Sequence, residues 1–208
     1  MSIIDKPTIY NTPTIYNVAG GGGGAVIDPN FYEVHQGIKR INTGSIVNVN
    51  NFGCRLEMSH TIEMNFYFSA TSSFTQTWLI VIDTNKLDLN IGRSSATQLN
   101  MRFQGLDKSV ISDVPGYFRM SLKGNKATIN GVSKTSTVSY TNGVITRFFE
   151  SSQNESVGSI VFSFKVYNDA GNMIYDYTPV KRLYDGKIGL YDPITDNFVE
   201  FTNCTLVG

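Results

Sequence analysis

The chain has 208 residues in which seventeen Lys and Arg balance seventeen Asp and Glu, so it offers no electrostatic footprint for nucleic acid or an anionic membrane. Only 16% of residues are charged, while eleven tyrosines, thirteen phenylalanines and nineteen glycines favour strands joined by turns over helices. That length suits one well-buried all-β domain plus a tail.

Residues 1–30 differ from everything after them. Pro7-Thr8-Ile9-Tyr10-Asn11 recurs as Pro13-Thr14-Ile15-Tyr16-Asn17, and Gly20 to Gly24 follow, then Asp28-Pro29. Prolines bias the segment toward extended backbone, and consecutive glycines make a pliant joint. At roughly 3.3 Å per residue such an arm reaches up to about 100 Å. Ile9, Tyr10, Ile15 and Tyr16 give it more apolar surface than a spacer needs. The expected use is an anchoring peptide, with Pro7, Ile9, Tyr10, Pro13, Ile15 and Tyr16 as the partner-binding residues, laid along another chain's surface or edge strand. Three arms winding together into a trimer is the competing use, and a leader without a role is the bland one. The opening MSIIDKPTIYN lacks the positive start and apolar core of a secretory signal, and the longest apolar run is Trp78 to Ile82, so no membrane segment is expected.

From Phe31 the β pattern begins, and residues 31–208 read as one sandwich domain. Cys54, Leu56, Met58, His60, Ile62, Met64, Phe66 and Phe68 alternate with polar residues, which predicts one long strand, bent or bulged at mid-length, with a core face. His60 on that face reads as a buried histidine bonded to a neighbour, since the other histidine is His35 and no cluster surrounds it. Trp78 to Asp83 suits a strand covered on both faces. Leu87, Leu89 and Ile91, then Leu99, Met101 and Phe103, then Phe118, Met120 and Leu122 repeat the alternation. Lys123-Gly124-Asn125 and Asn130-Gly131 bracket Ala127 to Ile129 as hairpin turns, and Gly143 to Phe149 supplies another strand. About ten to thirteen strands at short spacing predict a two-sheet antiparallel sandwich.

Ser159 to Phe201 reads as a meander closing a sheet. Ile160, Phe162, Phe164 and Val166 are expected on the core face and Val161, Ser163, Lys165 and Tyr167 outward. Asn168 to Asn172 forms a turn, Tyr175 to Tyr177 resumes the strand, and Asp185-Gly186 leads into Lys187 to Tyr191. Asp192-Pro193 stops that strand, and Phe198 to Phe201 is the last.

These residues also carry a family likeness. The succession KVYN (Lys165–Asn168), YDYTPVKR (Tyr175–Arg182), DGKIGLYD (Asp185–Asp192) and NFVEF (Asn197–Phe201) resembles the C-terminal signature of laminin-G-like, concanavalin A-type jelly-roll domains in virion proteins of tailed bacteriophages and prophages. His35 to Phe68, with Ile41-Asn42-Thr43-Gly44 ahead of a long strand, resembles the opening of the same domains. The resemblance covers Phe31 to the C-terminus and implies the fold more than the task, because jelly rolls host many functions.

Candidate chemistry is sparse. Glycoside hydrolysis needs two facing carboxyl groups about 5 to 10 Å apart, whereas Glu57 and Glu63 lie about 20 Å apart along one strand. Gly20 to Gly24 lacks the lysine and hydroxyl of a phosphate loop, and no Gly-x-Ser-x-Gly elbow is present. Asp83, Asn85 and Asp88, and again Asp192, Asp196 and Asn197, cluster oxygens that suit calcium or, more simply, turns. Cys54 and Cys204 read as two thiols, with a disulfide as the alternative, and without matched histidines they make no zinc site. Tyr67, Trp78, Tyr117 and Tyr140 are candidate sugar platforms, if they face outward rather than into the core.

The expectation is therefore a noncatalytic structural virion protein of a tailed phage, made in the host cytoplasm. It needs no cofactor or metal, is held to capsid or tail by its arm, and acts as a homo-oligomer with other virion proteins as partners. Head decoration or head fibre comes first and tail accessory second. The alternative is a carbohydrate-binding module for host-surface glycans.

Overall fold

The computed structural model describes residues 26–41, 52–69, 77–82, 87–91, 98–103, 109–113, 116–135, 142–151 and 158–208. Among these residues there is no helix, and all the regular structure is antiparallel β. The expected all-β sandwich of two antiparallel sheets is what forms.

Seventeen strands are present among the described residues. In chain order they are β1 (Tyr32–Val34), β2 (Gly37–Arg40), β3 (Arg55–Leu56), β4 (Thr61–Phe68), β5 (Thr77–Ile82) and β6 (Leu87–Ile91). Then come β7 (Gln98–Phe103), β8 (Ser109–Asp113), β9 (Gly116–Lys123), β10 (Lys126–Ile129), β11 (Val132–Thr135) and β12 (Gly143–Ser151). The chain closes with β13 (Ile160–Tyr167), β14 (Met173–Arg182), β15 (Ile188–Asp192), β16 (Asn197–Glu200) and β17 (Cys204–Val207). The larger sheet runs β11-β10-β9-β4-β13-β14-β15-β16, with β1 on β14 and β2 bridging β13 and β17. The smaller sheet runs β3-β12-β5-β6-β7-β8. The count exceeds the ten to thirteen expected because short strands such as β11, exposed at all four positions, carry no alternation to read.

The C-terminal meander forms as the sequence suggests, since β13 to β16 pair in chain order. Its turns use left-handed backbone at Gly171 (φ 81°) and Gly186 (φ 73°), conformations that cost glycine little. At Gly189 a side chain is excluded outright: a Cβ there would run into the Val199 carbonyl oxygen across the β15–β16 ladder.

Two sequence expectations need correction. Cys54 to Phe68 is not one long strand. It splits at Glu57–His60, where the chain passes from β3 in the smaller sheet to β4 in the larger. The His60 N–H donates to the Glu57 carbonyl at 2.9 Å, and the Glu57 N–H donates to His60 Nδ1 at 3.2 Å, so the buried imidazole closes a turn. Met58, expected in the core, stands half out in solvent at that turn.

The second correction concerns β13. Its pairing with β4 shifts register between Val161 and Ser163, a β-bulge that places two successive residues on one face. Val161 is fully buried, whereas Ile160 and Phe162, expected in the core, are only half-buried.

The core lies between the sheets. Phe52 and Phe148 from the smaller-sheet side meet Phe164 of β13 with ring centroids 5.8 and 5.1 Å apart. Ile62, Met64 and Phe66 of β4 and Phe118, Met120 and Leu122 of β9 line the larger sheet's inner face. Buried Tyr177 satisfies its hydroxyl there: it donates to the Phe52 carbonyl at 2.9 Å and accepts from Asn197 Nδ2 at 3.0 Å. Desolvation drives the Tyr177 phenol far above its ordinary pKa.

Candidate functional site

The outer face of the larger sheet is read most easily as rows across β9, β4 and β13. Side chains alternate along each strand, so residues opposite one another on an outward row are neighbours in space. One row runs Lys123–Thr61–Tyr167, the next Ser121–Glu63–Lys165, the next Arg119–Asn65–Ser163. The last row pairs Tyr117 with Tyr67 and Tyr67 with Ile160.

That last row is aromatic and open. Tyr117 is 69% exposed, and its ring lies 4.9 Å from that of Tyr67 and 5.9 Å from that of Phe162, with which it is stacked at 24°. Phe162 reaches this face because of the β13 bulge. It lies against β2, where a Cβ on Gly37 would stand 3.1 Å from Phe162 Cδ1 and 2.6 Å from Ile160 Cγ2. A glycine at that point lets the aromatic ring settle on the backbone.

The strand that carries Tyr117 is held on its free side by a turn. Asn130, in left-handed backbone (φ 47°) between β10 and β11, donates from Nδ2 to the Tyr117 carbonyl at 3.0 Å. Its Oδ1 accepts the Arg119 N–H at 2.9 Å, and its own N–H donates to the Arg119 carbonyl at 3.0 Å. The side chain thus continues the β9–β10 ladder beyond its last backbone pair. Beside the rings, Asn65 Nδ2 donates to Ser163 Oγ at 2.8 Å. The result is a row of three rings with hydroxyl, amide and guanidinium groups along one margin, an arrangement suited to a flat ligand with polar edges.

A second aromatic group packs where the chain enters the body. Tyr32 stacks on Tyr191 at 4.0 Å, and the Arg182 guanidinium lies over the Phe198 ring at 4.2 Å. Arg182 also makes a two-pronged contact with Asp185, at 3.1 and 2.6 Å, which raises the arginine's pKa and lowers the carboxyl's. Burial first, and then the hydrogen bond to Asp196, pushes the Tyr191 phenol up to about 12. These contacts fasten β1 to the meander.

The oxygens considered for calcium at Asp192, Asp196 and Asn197 are engaged within the protein. Buried Asp192 accepts the Asp176 and Ile194 N–H groups and the Thr195 hydroxyl. Asp196 accepts from Tyr191, while the Asn197 amide donates to Phe52. Among the described residues no three His, Cys, Asp or Glu gather as metal ligands. Asp83 and Asn85 lie outside the described residues, and Asp88 falls in β6. Both cysteines are free thiols, Cys54 buried and Cys204 partly so. Desolvation raises both, Cys204 to about 12, so neither is an activated nucleophile.

Of the sugar-platform candidates, Tyr67 and Tyr117 come together. Trp78 falls in β5, and Tyr140 lies outside the described residues. So do the arm residues Pro7, Ile9, Tyr10, Pro13, Ile15 and Tyr16. Sequence reasoning missed Phe162, Asn65, Arg119, Ser163 and Asn130. The available signal for Phe162 was the unbroken apolar run Ile160-Val161-Phe162 inside an otherwise alternating strand, which a bulge resolves. No family model matches this chain, and no curated protein matches it.

Proposed function

We propose that this chain is a noncatalytic structural protein of a tailed-phage particle, fixed to capsid or tail by its N-terminal arm and displaying the sandwich outward. The observation that carries the reading is the duplicated Pro-Thr-Ile-Tyr-Asn and its five-glycine joint ahead of a β-sandwich. The body is entered through an exposed turn: Val26 is 87% exposed, and the Phe31 and Tyr32 N–H groups donate to the Asp28 carbonyl. Each Ile or Tyr that a partner fully buries contributes about 1.5 to 3 kcal/mol before ordering costs. Two equivalent hooks, repeated in a symmetric assembly, multiply weak attachments. Head decoration or head fibre is the preferred location.

The test is removal of residues 1–24, followed by purification of assembled particles. The shortened chain folds but is missing from particles, and a chain with Ile9, Tyr10, Ile15 and Tyr16 all changed to Ser behaves likewise. Incorporation at full copy number without the hooks overturns the reading.

A second reading, a carbohydrate-binding module for surface glycans, is favoured by the open Tyr67–Tyr117–Phe162 row. It is compatible with the first, since a displayed body is a natural place for adhesion.

A further inference from the structure

The charges on the outer face point to the kind of sugar. On this face two lysines are matched to carboxylates. Lys123 Nζ lies 3.0 Å from Asp169, and Lys165 Nζ lies 3.2 Å from Asp176. Arg119 differs. It stands two residues from Tyr117 along β9, on the same face, and opposite Asn65. Its backbone is tied to Asn130, but among the described residues its guanidinium has no ion-pair partner. An exposed cation beside an exposed ring is thus held in place through its main chain and left open at its tip.

We infer that Tyr117, Tyr67 and Phe162 together with Arg119 form a binding site for an acidic saccharide, a pyranose lying on the tyrosine face with its carboxylate on the Arg119 guanidinium. This rests on the carbohydrate-binding reading above. The C–H groups on a sugar's flat side carry partial positive charge and favour the electron-rich face of an aromatic ring. The planar guanidinium presents paired N–H donors in the spacing of a carboxylate. Residues i and i+2 on one strand face lie about 7 Å apart, a span that one pyranose ring with its exocyclic carboxylate covers. Asn65 and Ser163, already bonded to each other, offer remaining donors and acceptors to ring hydroxyls. A neutral sugar would leave Arg119 without a role, and a polynucleotide would require a run of cations that a chain of zero net charge does not supply.

The experiment uses the full chain on an array of uronate-containing oligosaccharides printed beside the same oligosaccharides with their carboxyl groups reduced to alcohols. The native chain binds uronate members and binds the reduced forms about tenfold more weakly, as loss of a charge-assisted hydrogen bond predicts. Tyr117→Ala and Arg119→Gln each lose about tenfold or more on the uronate members, while Lys126→Gln on the same face changes binding less than about twofold. Circular dichroism confirms that each variant is folded. Equal binding of acidic and reduced forms, or an unaltered Arg119→Gln, overturns the acidic-sugar inference; if Tyr117→Ala still abolishes binding, the carbohydrate reading stands. Absence of binding to every member, or binding untouched by Tyr117→Ala, overturns both.

Discussion

The two faces of the β4–β9 pair are built from the same two eight-residue strands, roughly 27 Å of backbone, and do opposite things. Inward, Phe66 opposes Phe118 with rings stacked 5.1 Å apart, and Met64 opposes Met120 and Ile62 opposes Leu122, all nearly or wholly out of water. Outward and one register step along, Tyr67 opposes Tyr117 at 4.9 Å, but here the ring of Tyr117 is 69% exposed. Similar ring pairs therefore carry different weight. The inner pair removes apolar surface from water and stabilises the fold, whereas the outer pair leaves that surface available to a ligand.

The contrast breaks most visibly at Phe66. Phe66→Ala leaves a cavity against Phe118 and costs about 3 to 5 kcal/mol, read as a large drop in the urea midpoint. A loss below about 1 kcal/mol would mean that the inner face is not the close-packed side.

Gly37 underlies the outer aromatic row, and a substitution there sharpens the comparison. Gly37→Ala places a methyl 2.6 Å from Ile160 Cγ2 and 3.1 Å from both Phe162 Cδ1 and the Val161 carbonyl oxygen, of which the two side chains can give way and the backbone cannot. The expected cost is about 1 to 3 kcal/mol, with Phe162 displaced and ligand binding weakened although Tyr117 is intact. Unchanged binding would remove Phe162 from the platform.

Alkaline titration probes the buried thiols and phenols. Burial raises Cys54, Tyr177 and Cys204, the last to about 12, and raises Tyr191 to about 12 with help from Asp196. A folded-state pKa above the unfolded value gives stability that is complete below the ordinary thiol and phenol range and lost as pH rises through the folded value. The denaturation midpoint should therefore fall between about pH 9 and pH 12. A midpoint flat across that window would contradict the burial assigned to these groups.

The smallest stability effect belongs to the outer face. Tyr117→Ala should shift the unfolding free energy by no more than about 0.5 kcal/mol, because the ring is mostly in solvent. A loss of several kcal/mol would make that ring a structural element instead.

How far the sequence could be read differs in the same way. The inner face was legible because burial imposes a period of two, so Ile62, Met64, Phe66 and the set Phe118, Met120 and Leu122 announce themselves locally. The meander was legible because Asp185-Gly186 and Asp192-Pro193 have turn chemistry of their own. The sheet change at Glu57–His60 was hidden, since Cys54, Leu56 and His60 stay buried on either side of the turn and the alternation continues through it. The platform was half legible. Tyr67 and Tyr117 could be named as candidates, but their meeting depends on cross-strand register between segments about fifty residues apart, and Phe162 joins them only through a bulge. Arg119 acquires meaning from the partners its neighbours have, which a sequence does not display.

The most direct test of the division between the faces is an amide shift titration of the isotope-labelled full chain with a uronate tetrasaccharide. The account predicts saturable shifts concentrated at Asn65, Tyr67, Tyr117, Arg119, Phe162 and Ser163, fading toward the Lys123–Thr61–Tyr167 end of the same sheet. Saturable shifts centred elsewhere on the sandwich, or none at all, would contradict it.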